Sequence, residues 1–379
     1  MSKNKVLIFI DWYVPAFKAG GPVSSVLNMV NLLHEHVDFY IVTGDRDLSD
    51  SHPFSEIEFN KWQNVGDAKV IYLDKNHQTS TFAREIVSKI NPDKIYINGI
   101  FSKFFSILPV YLFHKEYNLI VAPRGMFGKG ALAIKRKRKY LYLSTIKYLS
   151  MYKKVLWHAN SIGELDEIKR FFVVSNHNVL PNLSSIHQFS SSMDKDKNKP
   201  IKLISICRIN SIKNIDFFLE VLSGISFDCS YDIVGSCEDE VYFKKLQTKV
   251  SALSHNIIVN FVGPVAQESV VNYLKNADLF ISTSFNENYG HSIVEALAVG
   301  VPVLISENNP WVNLEAYSAG YRLPLISDQF RNKLNEFNVM DNADFRHLKM
   351  GALRYYKEKI SPLNFKKDYL DLLSTSNDC

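Results

Sequence analysis

The chain has few cysteines and no long apolar run. None of its four cysteines stands in the Cys-x-x-Cys or Cys-x-x-His spacing of common metal sites: Cys207, Cys229, Cys237 and Cys379. This pattern argues against both a metal site and a disulfide framework. No apolar run reaches the roughly 18 residues that span a bilayer. Since the hydrophobic stretch at residues 5–10 is too short for a signal peptide, we expect a cytoplasmic protein.

A dinucleotide-binding fingerprint is also absent. The strand predicted at residues 5–10 is not followed by Gly-x-Gly-x-x-Gly, which argues against a nicotinamide or flavin dehydrogenase. A long turn containing Gly20 and Gly21 leads instead into a helix predicted at residues 23–34. A strand, a glycine-rich turn and a helix are typical of the start of a doubly wound sheet. Most Gly-Gly pairs only form turns, but this one would let a substrate approach the backbone closely.

The length predicts two domains. The chain has 379 residues, of which 46% are hydrophobic, and this is about right for two α/β domains of comparable size. Polar and charged residues dominate residues 190–200, the most linker-like segment of the chain. We place the boundary there, and so predict an N-terminal domain of residues 1–190 and a C-terminal domain of residues 200–360.

Residues 284–306 form the most informative segment. Short buried strands are predicted on either side of a helix, at residues 277–283 and 301–306, with the helix at residues 292–299. This is a β-α-β unit. Gly300 stands just past the predicted helix end, where a left-handed residue is favoured.

The start of this helix is predicted to bind an anion. Gly290 allows a tight turn, and Ser292 can cap the helix. The backbone amides of His291, Ser292 and Ile293 would then point out of the helix N-terminus, which suits a phosphate.

Two carboxylates bracket the predicted anion site. Glu287 precedes it, and Glu295 follows one turn inside the helix. Each has a simpler interpretation, since Ser292 and Glu295 fit a capping box and Glu287 could be a solvated loop residue. Spacing alone leaves these alternatives open.

A pair of basic residues follows the first predicted strand of the second domain, residues 202–207. Arg208 and Lys213 stand on the turn there. Two cations on one turn could converge on the same diphosphate that faces the Gly290 helix. Basic residues on a turn are usually only solvated, so the prediction that this pair binds a diphosphate depends on the other features of the sequence.

Positive charge is concentrated in one segment, although the net charge is only +5. Residues 124–154 contain ten basic and no acidic residues, with aromatic and aliphatic side chains interleaved. Such a run could be a nucleic-acid footprint, a solvated helix face or a membrane-surface patch. We favour contact of residues 135–154 with an anionic membrane surface, because basic and apolar residues together fit lipid headgroups. No nucleic-acid-binding module accompanies the run.

The segment 284–306 resembles the signature of retaining glycosyltransferases of family 4. A glutamate, a glycine-containing turn and a second glutamate after seven intervening residues precede Ala-Leu-x-x-Gly-x-Pro-Val. The resemblance implies the glycosyltransferase B (GT-B) fold, with two Rossmann-like, doubly wound α/β domains facing one another across a cleft. In this fold the C-terminal helix, about residues 361–379, packs back on the first domain.

The resemblance also implies a reaction. A hexose or related sugar would pass from a nucleoside diphosphate sugar, expected to be UDP-linked, to an acceptor hydroxyl with retention at the anomeric carbon. No cofactor or metal is expected. In the catalytic group, Arg208 and Lys213 would neutralise the leaving diphosphate and Glu287 would bind sugar hydroxyls. Glu295 would bind the ribose, and the donor-binding group comprises Gly20, Gly21, Gly290, His291, Ser292, Ile293 and Glu295.

Two further positions are expected on the acceptor or sugar side, Asn98 and Arg124. Many family 4 sequences have a histidine near the position of Asn98, so this chain departs from the pattern there, and Asn98 could only hydrogen-bond the sugar or acceptor. The segments 98–101, 123–126 and 310–315 resemble a bacterial subgroup that makes surface polysaccharides. That subgroup implies O-antigen, capsule or exopolysaccharide synthesis with a polyprenyl-diphosphate-linked or oligosaccharide acceptor, at the inner face of the cell membrane.

Two alternatives remain open. A sugar-nucleotide epimerase of the same two-domain fold would act on the donor without an acceptor. A binding protein would retain the nucleotide site without turnover, and the absence of histidine at Asn98 is the one feature that favours it.

Overall fold

The computed structural model describes residues 3–128, 131–132, 136–148, 151–184 and 199–374. The chain divides into two compact units, Met1–Leu183 with Pro362–Cys379, and Ser184–Ser361. The segment predicted as a linker, residues 190–200, lies outside the described residues apart from its last two. Each unit contains a sheet built almost entirely from parallel strands.

Eight strands form the sheet of the first unit: β1 (Asn4–Ile10), β2 (Val37–Gly44), β3 (Trp62–Val65), β4 (Ala68–Leu73), β5 (Lys94–Asn98), β6 (Leu119–Ala122), β7 (Leu156–Ala159) and β8 (Asn176–Val179). Their order across the sheet is β3-β4-β2-β1-β5-β6-β7-β8. All neighbours are parallel except β3 and β4. The order reverses direction between β1 and β5, which is where such sheets bind ligands beyond the carboxyl ends of their strands.

Helices cover both faces of this sheet because its strands are apolar on both sides. Val6 and Ile8 of β1 belong to one buried cluster, and Leu7 and Phe9 to another, as expected for a parallel strand with helices on each face. The helices are α1 (Gly21–Leu33), α2 (Ser80–Ile90), α3 (Leu108–Phe113), α4 (Arg136–Tyr148) and α5 (Ile162–Lys169). A short π-helical turn, Lys103–Ile107, leads into α3.

Six parallel strands form the sheet of the second unit: β9 (Ile201–Ile206), β10 (Cys229–Val234), β11 (Ile257–Gly263), β12 (Leu279–Ser282), β13 (Val303–Ser306) and β14 (Gly320–Leu323). Their order is β11-β10-β9-β12-β13-β14, the 3-2-1-4-5-6 order of a doubly wound nucleotide-binding sheet. The helices are α6 (Ile215–Leu222), α7 (Glu240–Ser251), α8 (Gln267–Lys275), α9 (His291–Ala298), α10 (Ser327–Val339) and α11 (Asn342–Tyr355).

The last helix, α12 (Lys366–Leu373), is part of the first unit although it follows the second in sequence. Tyr369, Leu372 and Leu373 are buried in the same cluster as Val26 and Met29 of α1. Side chains from the C-terminal helix are therefore part of the hydrophobic core that packs on the N-terminal sheet. Among the described residues, no helix combines the length and apolar character needed to cross a membrane.

Candidate functional site

The strand order of the second sheet reverses between β9 and β12, so the segments that follow these two strands define its ligand-binding edge. They are joined by hydrogen bonds. Thr283 Oγ1 donates to the carbonyl of Asn214 at 3.0 Å, and the Phe285 amide donates to the carbonyl of Ile212 at 2.9 Å. The turn that carries the two predicted cations is therefore fixed against the loop that carries Glu287.

The closest contact between these two segments is an ion pair. Lys213 Nζ lies 2.6 Å from Glu287 Oε2, and each side chain is only 18% exposed. Lys213 ends a single 3-10 turn, Ser211–Lys213, which is capped by the side chain of Asn210. The structure thus brings together two residues that are 74 positions apart in sequence, and both belong to the predicted catalytic group.

The second predicted cation has a different partner. Arg208 Nη1 lies 2.6 Å from Glu238 Oε1, and its side chain is 47% exposed. The other carboxylate oxygen of Glu238 accepts from Asn210 Nδ2 at 2.8 Å. Sequence reasoning missed Glu238, because it lies beyond β10 and reaches Arg208 only through the adjacency of β9 and β10. A solvent-exposed ion pair contributes only about 0–1 kcal/mol, so an incoming anion can replace it.

Cys207 immediately precedes Arg208 in the sequence. It lines the same narrow cavity as Lys213 and Glu287. Burial is the main cause that raises the pKa of Cys207 to about 11. The thiol therefore stays protonated at neutral pH and is a poor nucleophile.

Helix α9 begins one residue earlier than predicted. Its N-cap is Gly290, which has φ of 76° and ψ of 61°, and α9 spans His291–Ala298. The interpretation of Ser292 as the cap, and of Ser292 with Glu295 as a capping box, is therefore wrong. The left-handed conformation of Gly290 turns the chain into the helix before Ser292 is reached. Gly300 has φ of 77° beyond the other end, as predicted.

The predicted donor-binding residues at α9 occupy different environments. The Ile293 amide donates to the Gly290 carbonyl at 3.0 Å, so this amide is used within the helix, and the Ile293 side chain is buried. Ser292 lines a narrow cavity together with Lys213 and Glu287. The His291 ring lies 4.7 Å from the ring of Tyr289, and Glu295 is 7% exposed.

Gly290 and Glu287 are in close contact. A Cβ placed on Gly290 would lie 3.1 Å from Cγ of Glu287 and 2.9 Å from Cδ1 of Ile293. The helix start, the carboxylate and Lys213 therefore form one compact group. Five predicted residues meet here: Lys213, Glu287, Gly290, Ser292 and Ile293.

In the first unit, the glycine pair stands where the sheet order reverses. Gly20 is the N-cap of α1 with φ of 65° and ψ of −123°, and Gly21 is the first helical residue. Such backbone angles are open to glycine and costly for other residues. Among the described residues, no heavy atom lies within 4 Å of the position a Gly20 Cβ would take, which leaves the backbone accessible.

Asn98 and Arg124 are in direct contact in the first unit. Asn98 ends β5, and Arg124 follows β6 with a left-handed φ of 56°. Arg124 Nε donates to Asn98 Oδ1 at 2.8 Å, and Nη2 donates to the Tyr96 hydroxyl at 2.7 Å. Nη1 donates to Asn182 Oδ1. The guanidinium is thus held by three neutral oxygen atoms.

One buried carboxylate organises the ends of β6 and β7. Glu164 accepts from the backbone amides of Gly125 and Asn160, the latter at 2.7 Å. Burial raises the pKa of Glu164, while these amides and the charge of Arg124 lower it. The role of Glu164 in fixing the Arg124 turn depends on the pairing of β6 with β7, which no local sequence pattern encodes.

A second acidic residue that the sequence did not single out lies at the end of β1. Asp11 directly follows this strand, and its side chain is hydrogen-bonded to Ser102. Burial raises the pKa of Asp11 to about 6. Its position at the switch point of the sheet was the signal that could have identified it. Among the described residues, no group of three or more His, Cys, Asp or Glu is placed to hold a metal ion.

Comparison with known proteins gives the same picture of the fold. Residues 189–316 match the family model described as glycosyl transferases group 1. The chain is 23% identical to alpha-monoglucosyldiacylglycerol synthase of Streptococcus pneumoniae over 333 residues, covering 82% of this chain and 72% of that protein. A shorter match, 26% over 131 residues, links 32% of the chain to 31% of the amylovoran biosynthesis glycosyltransferase AmsK of Erwinia amylovora.

Solved structures match almost the whole chain. Anabaena Alr3699/HepE in complex with UDP and glucose superposes with a TM-score of 0.72 at 15% identity, covering 98% of this chain and all of that one. Sucrose-phosphate synthase from Thermosynechococcus elongatus has a TM-score of 0.74 at 14% identity, with 98% of each chain covered. The prediction of a GT-B fold with two parallel-sheet α/β units is confirmed, and the chain is a glycosyltransferase.

Proposed function

We propose that this glycosyltransferase is a retaining enzyme that moves a hexose or related sugar from a UDP-sugar to a hydroxyl of a lipid-linked or oligosaccharide acceptor. The product would enter a bacterial surface polysaccharide such as O-antigen, capsule or exopolysaccharide. One observation carries the proposal, the contact of Lys213 with Glu287 beside Gly290 at the switch point of the second sheet.

The leaving diphosphate sets the main electrostatic demand on this site. Lys213 and Arg208 supply two cations beyond β9, and the N-terminus of α9 supplies the positive end of a helix dipole. Without donor, each cation is paired with a carboxylate, Glu287 or Glu238. A bound diphosphate would replace or share these partners, and neutralisation would need no metal ion.

Glu287 would then act on the sugar. As the diphosphate takes over Lys213, the Glu287 carboxylate becomes available to accept hydrogen bonds from sugar hydroxyls. Glu295 would bind the ribose, a role that rests on the family resemblance. The two carboxylates would thus hold opposite ends of the donor while Lys213 and Arg208 hold its centre.

The relatives support the donor and the acceptor classes separately. Alr3699/HepE was solved with UDP-glucose, and TarM with UDP, which supports a uridine donor. The names of the two curated relatives point to a glucosylated diacylglycerol and to the polysaccharide amylovoran. A glycan acceptor carried on a lipid combines the lipid of the first product with the polysaccharide of the second.

Helix α4 supports contact with an anionic membrane surface. Arg136, Lys137 and Arg138 are exposed on it, and so are the apolar side chains Leu141 and Tyr140, at 71% and 42%. Each basic residue near such a surface contributes about 1 kcal/mol to binding. Residues 135, 149 and 150 of the predicted patch lie outside the described residues. We place the enzyme at the cytoplasmic face of the membrane.

The site is tested by Lys213→Ala. Removing one group that stabilises transition-state charge lowers kcat by roughly 100-fold or more, so we expect a loss of that size in UDP release from a UDP-sugar with a lipid-linked acceptor. Lys245→Ala is the matched control, since Lys245 also pairs with a carboxylate at 2.6 Å, that of Asp216, but is 56% exposed on α7. Equal activity of both variants and the wild type would show that the site is wrongly assigned.

The reaction class has its own readout. The anomeric configuration of the product, read from its NMR coupling constants, tests retention directly. Conversion of the donor sugar without any acceptor would identify an epimerase instead, and donor binding without conversion would identify a binding protein.

A further inference from the structure

A chain of hydrogen bonds runs through the first unit from its C-terminal helix to Asn98. Tyr369 of α12 donates to the carbonyl of Pro181 at 2.9 Å, and its hydroxyl lies 3.5 Å from His158 Nε2. On the other side of the ring, His158 Nδ1 lies 2.7 Å from the Tyr96 hydroxyl. That hydroxyl accepts from Arg124, which in turn donates to Asn98.

The direction of the bond between Tyr96 and His158 follows from one carbonyl. His158 Nε2 lies 3.0 Å from the carbonyl of Leu180, and a carbonyl only accepts, so Nε2 carries the proton. Burial and the nearby charge of Arg124 lower the pKa of His158 to about 3, so the ring is neutral at physiological pH. Its Nδ1 therefore accepts, and Tyr96 must donate to it.

The other end of the chain fixes the Asn98 amide. A guanidinium has no acceptor, so the Asn98 atom that faces Arg124 Nε must be the oxygen Oδ1. The nitrogen Nδ2, with its two hydrogens, is then the atom that remains for a ligand. Among the described residues, no hydrogen bond uses Nδ2.

Arg124 is well suited to impose this orientation. Its left-handed backbone conformation is unusual for a residue with a side chain. Glu164 stabilises the turn by accepting from the next amide, that of Gly125. With three acceptors on three sides, namely Asn98, Asn182 and Tyr96, the guanidinium cannot rotate without losing a hydrogen bond.

We propose that Asn98 binds a hydroxyl oxygen of a sugar through Nδ2, acting only as a hydrogen-bond donor, and that Arg124 is a positioning residue that prevents the amide from presenting its oxygen. The inference rests on the proposed sugar transfer. Asn98 ends β5 next to β1, where the order of the first sheet reverses, so its side chain stands at the ligand edge. The hydroxyl belongs either to the transferred sugar or to the acceptor.

Asn98→Asp isolates the donor function. Aspartate has the same shape and keeps an oxygen for Arg124, but it offers no N–H group. We expect kcat/KM to fall at least about tenfold, because a carboxylate would face a hydroxyl oxygen where a donor is needed. Thermal stability should not fall, since Arg124 gains a charged partner. An effect on the KM of the acceptor alone assigns the oxygen to the acceptor, and an effect on the KM of the UDP-sugar alone assigns it to the donor.

Asn182→Asp is the matched control. It places the same carboxylate against the same guanidinium from another side, and we expect kcat/KM within about threefold of the wild type, less than the effect of a lost hydrogen bond to a ligand. An equal fall in both variants would mean that any carboxylate at Arg124 is harmful, and would overturn the inference.

The remaining outcomes are distinct. Wild-type activity in Asn98→Asp would refute the donor function of Asn98 while leaving the proposed reaction intact. A wild-type enzyme that transfers no sugar from any UDP-sugar would refute the proposed function, and the inference with it. Arg124→Lys tests positioning, because lysine keeps the charge but not the three-sided fit, and it should lower kcat without weakening UDP binding.

Discussion

Two arginines of this chain follow parallel strands at the ligand edge of a sheet, and they are held in opposite ways. Arg208 in the second unit is half-exposed and is paired with the carboxylate of Glu238. Arg124 in the first unit is partly buried and donates to three neutral side chains, those of Asn98, Asn182 and Tyr96. Sequence alone predicted both as ligand-binding residues.

The difference separates a binding cation from a structural one. An exposed ion pair contributes little because water and salt compete with it, so a diphosphate can replace Glu238 at small cost. A guanidinium surrounded by neutral acceptors leaves several unpaired groups when it moves, each costing about 1–3 kcal/mol. We therefore expect Arg208 to change partner in each catalytic cycle and Arg124 to remain in place.

The largest expected effect is the difference in stability between removing Arg124 and removing Arg208. Arg124→Ala leaves three buried acceptors unpaired and removes the cation near Glu164, so we expect the free energy of unfolding of the first unit to fall by about 3 kcal/mol or more. Arg208→Ala should change the free energy of unfolding of the second unit, which contains Arg208, by less than about 1 kcal/mol. Urea unfolding followed by circular dichroism, which responds to the unfolding of either unit, measures both.

A control variant and one contradicting result are defined for this comparison of stabilities. Arg124→Lys keeps the charge and serves if the alanine variant does not fold. Similar losses of stability in Arg124→Ala and Arg208→Ala would show that burial and partner chemistry do not distinguish the two positions.

Two carboxylates at the ligand edges of the two sheets also differ in whether their partner is charged or neutral. Glu287 is paired with Lys213, whereas the side chain of Asp11 is bonded to Ser102 and burial raises its pKa from 3.8 to about 6. For an acid with a raised pKa, the folded state favours the protonated form. Stability is therefore highest below about pH 4 for this group, and it falls as pH rises to 6, above which the penalty is constant.

Asp11→Asn tests this difference. The variant should be more stable than the wild type by about 1–2 kcal/mol at pH 7.5, allowing for partial solvent access, and equal to it near pH 4. Thermal unfolding of the variant and the wild type, carried out side by side at the two pH values, measures this difference in stability. A constant difference at both values would mean that Asp11 titrates normally and that the substitution acts through packing.

Much of the second unit was predictable from the sequence because its signals are local. The strands around α9 are short apolar runs, and Gly290 and Gly300 mark the helix ends with left-handed residues. The start of α9 was misplaced by one residue, since Ser292 has the composition of a cap while the backbone of Gly290 decides the boundary. The partner of Arg208 was missed because Glu238 lies in the segment after a different strand, β10, and no local pattern encodes that pairing.

The site in the first unit was less predictable because its contacts are long-range. Asn98 and Arg124 are 26 residues apart, and Tyr369 lies 211 residues from His158. The sequence marks each position as a strand end or a helix residue, which is correct but does not show that they share one hydrogen-bonded chain. The orientation of the Asn98 amide depends on its contact with Arg124, and the tautomer of His158 depends on the Leu180 carbonyl; neither contact has a sequence signal.

The smallest effect concerns Glu238, and it tests whether Arg208 is exchangeable. In Glu238→Gln the carboxylate is lost while the contact to Asn210 can be kept, so Arg208 no longer has to give up a charged partner when UDP binds. Because an exposed pair is worth at most about 1 kcal/mol, UDP affinity measured by calorimetry should rise by about two- to fivefold, and the gain should shrink in high salt. Glu336→Gln is a matched control, since Glu336 pairs with Lys333 at 2.5 Å on the surface of α10, and it should leave UDP affinity unchanged. A fall in UDP affinity in Glu238→Gln would mean that the carboxylate itself contacts the nucleotide, and Arg208 would then have to be regarded as fixed in the same sense as Arg124.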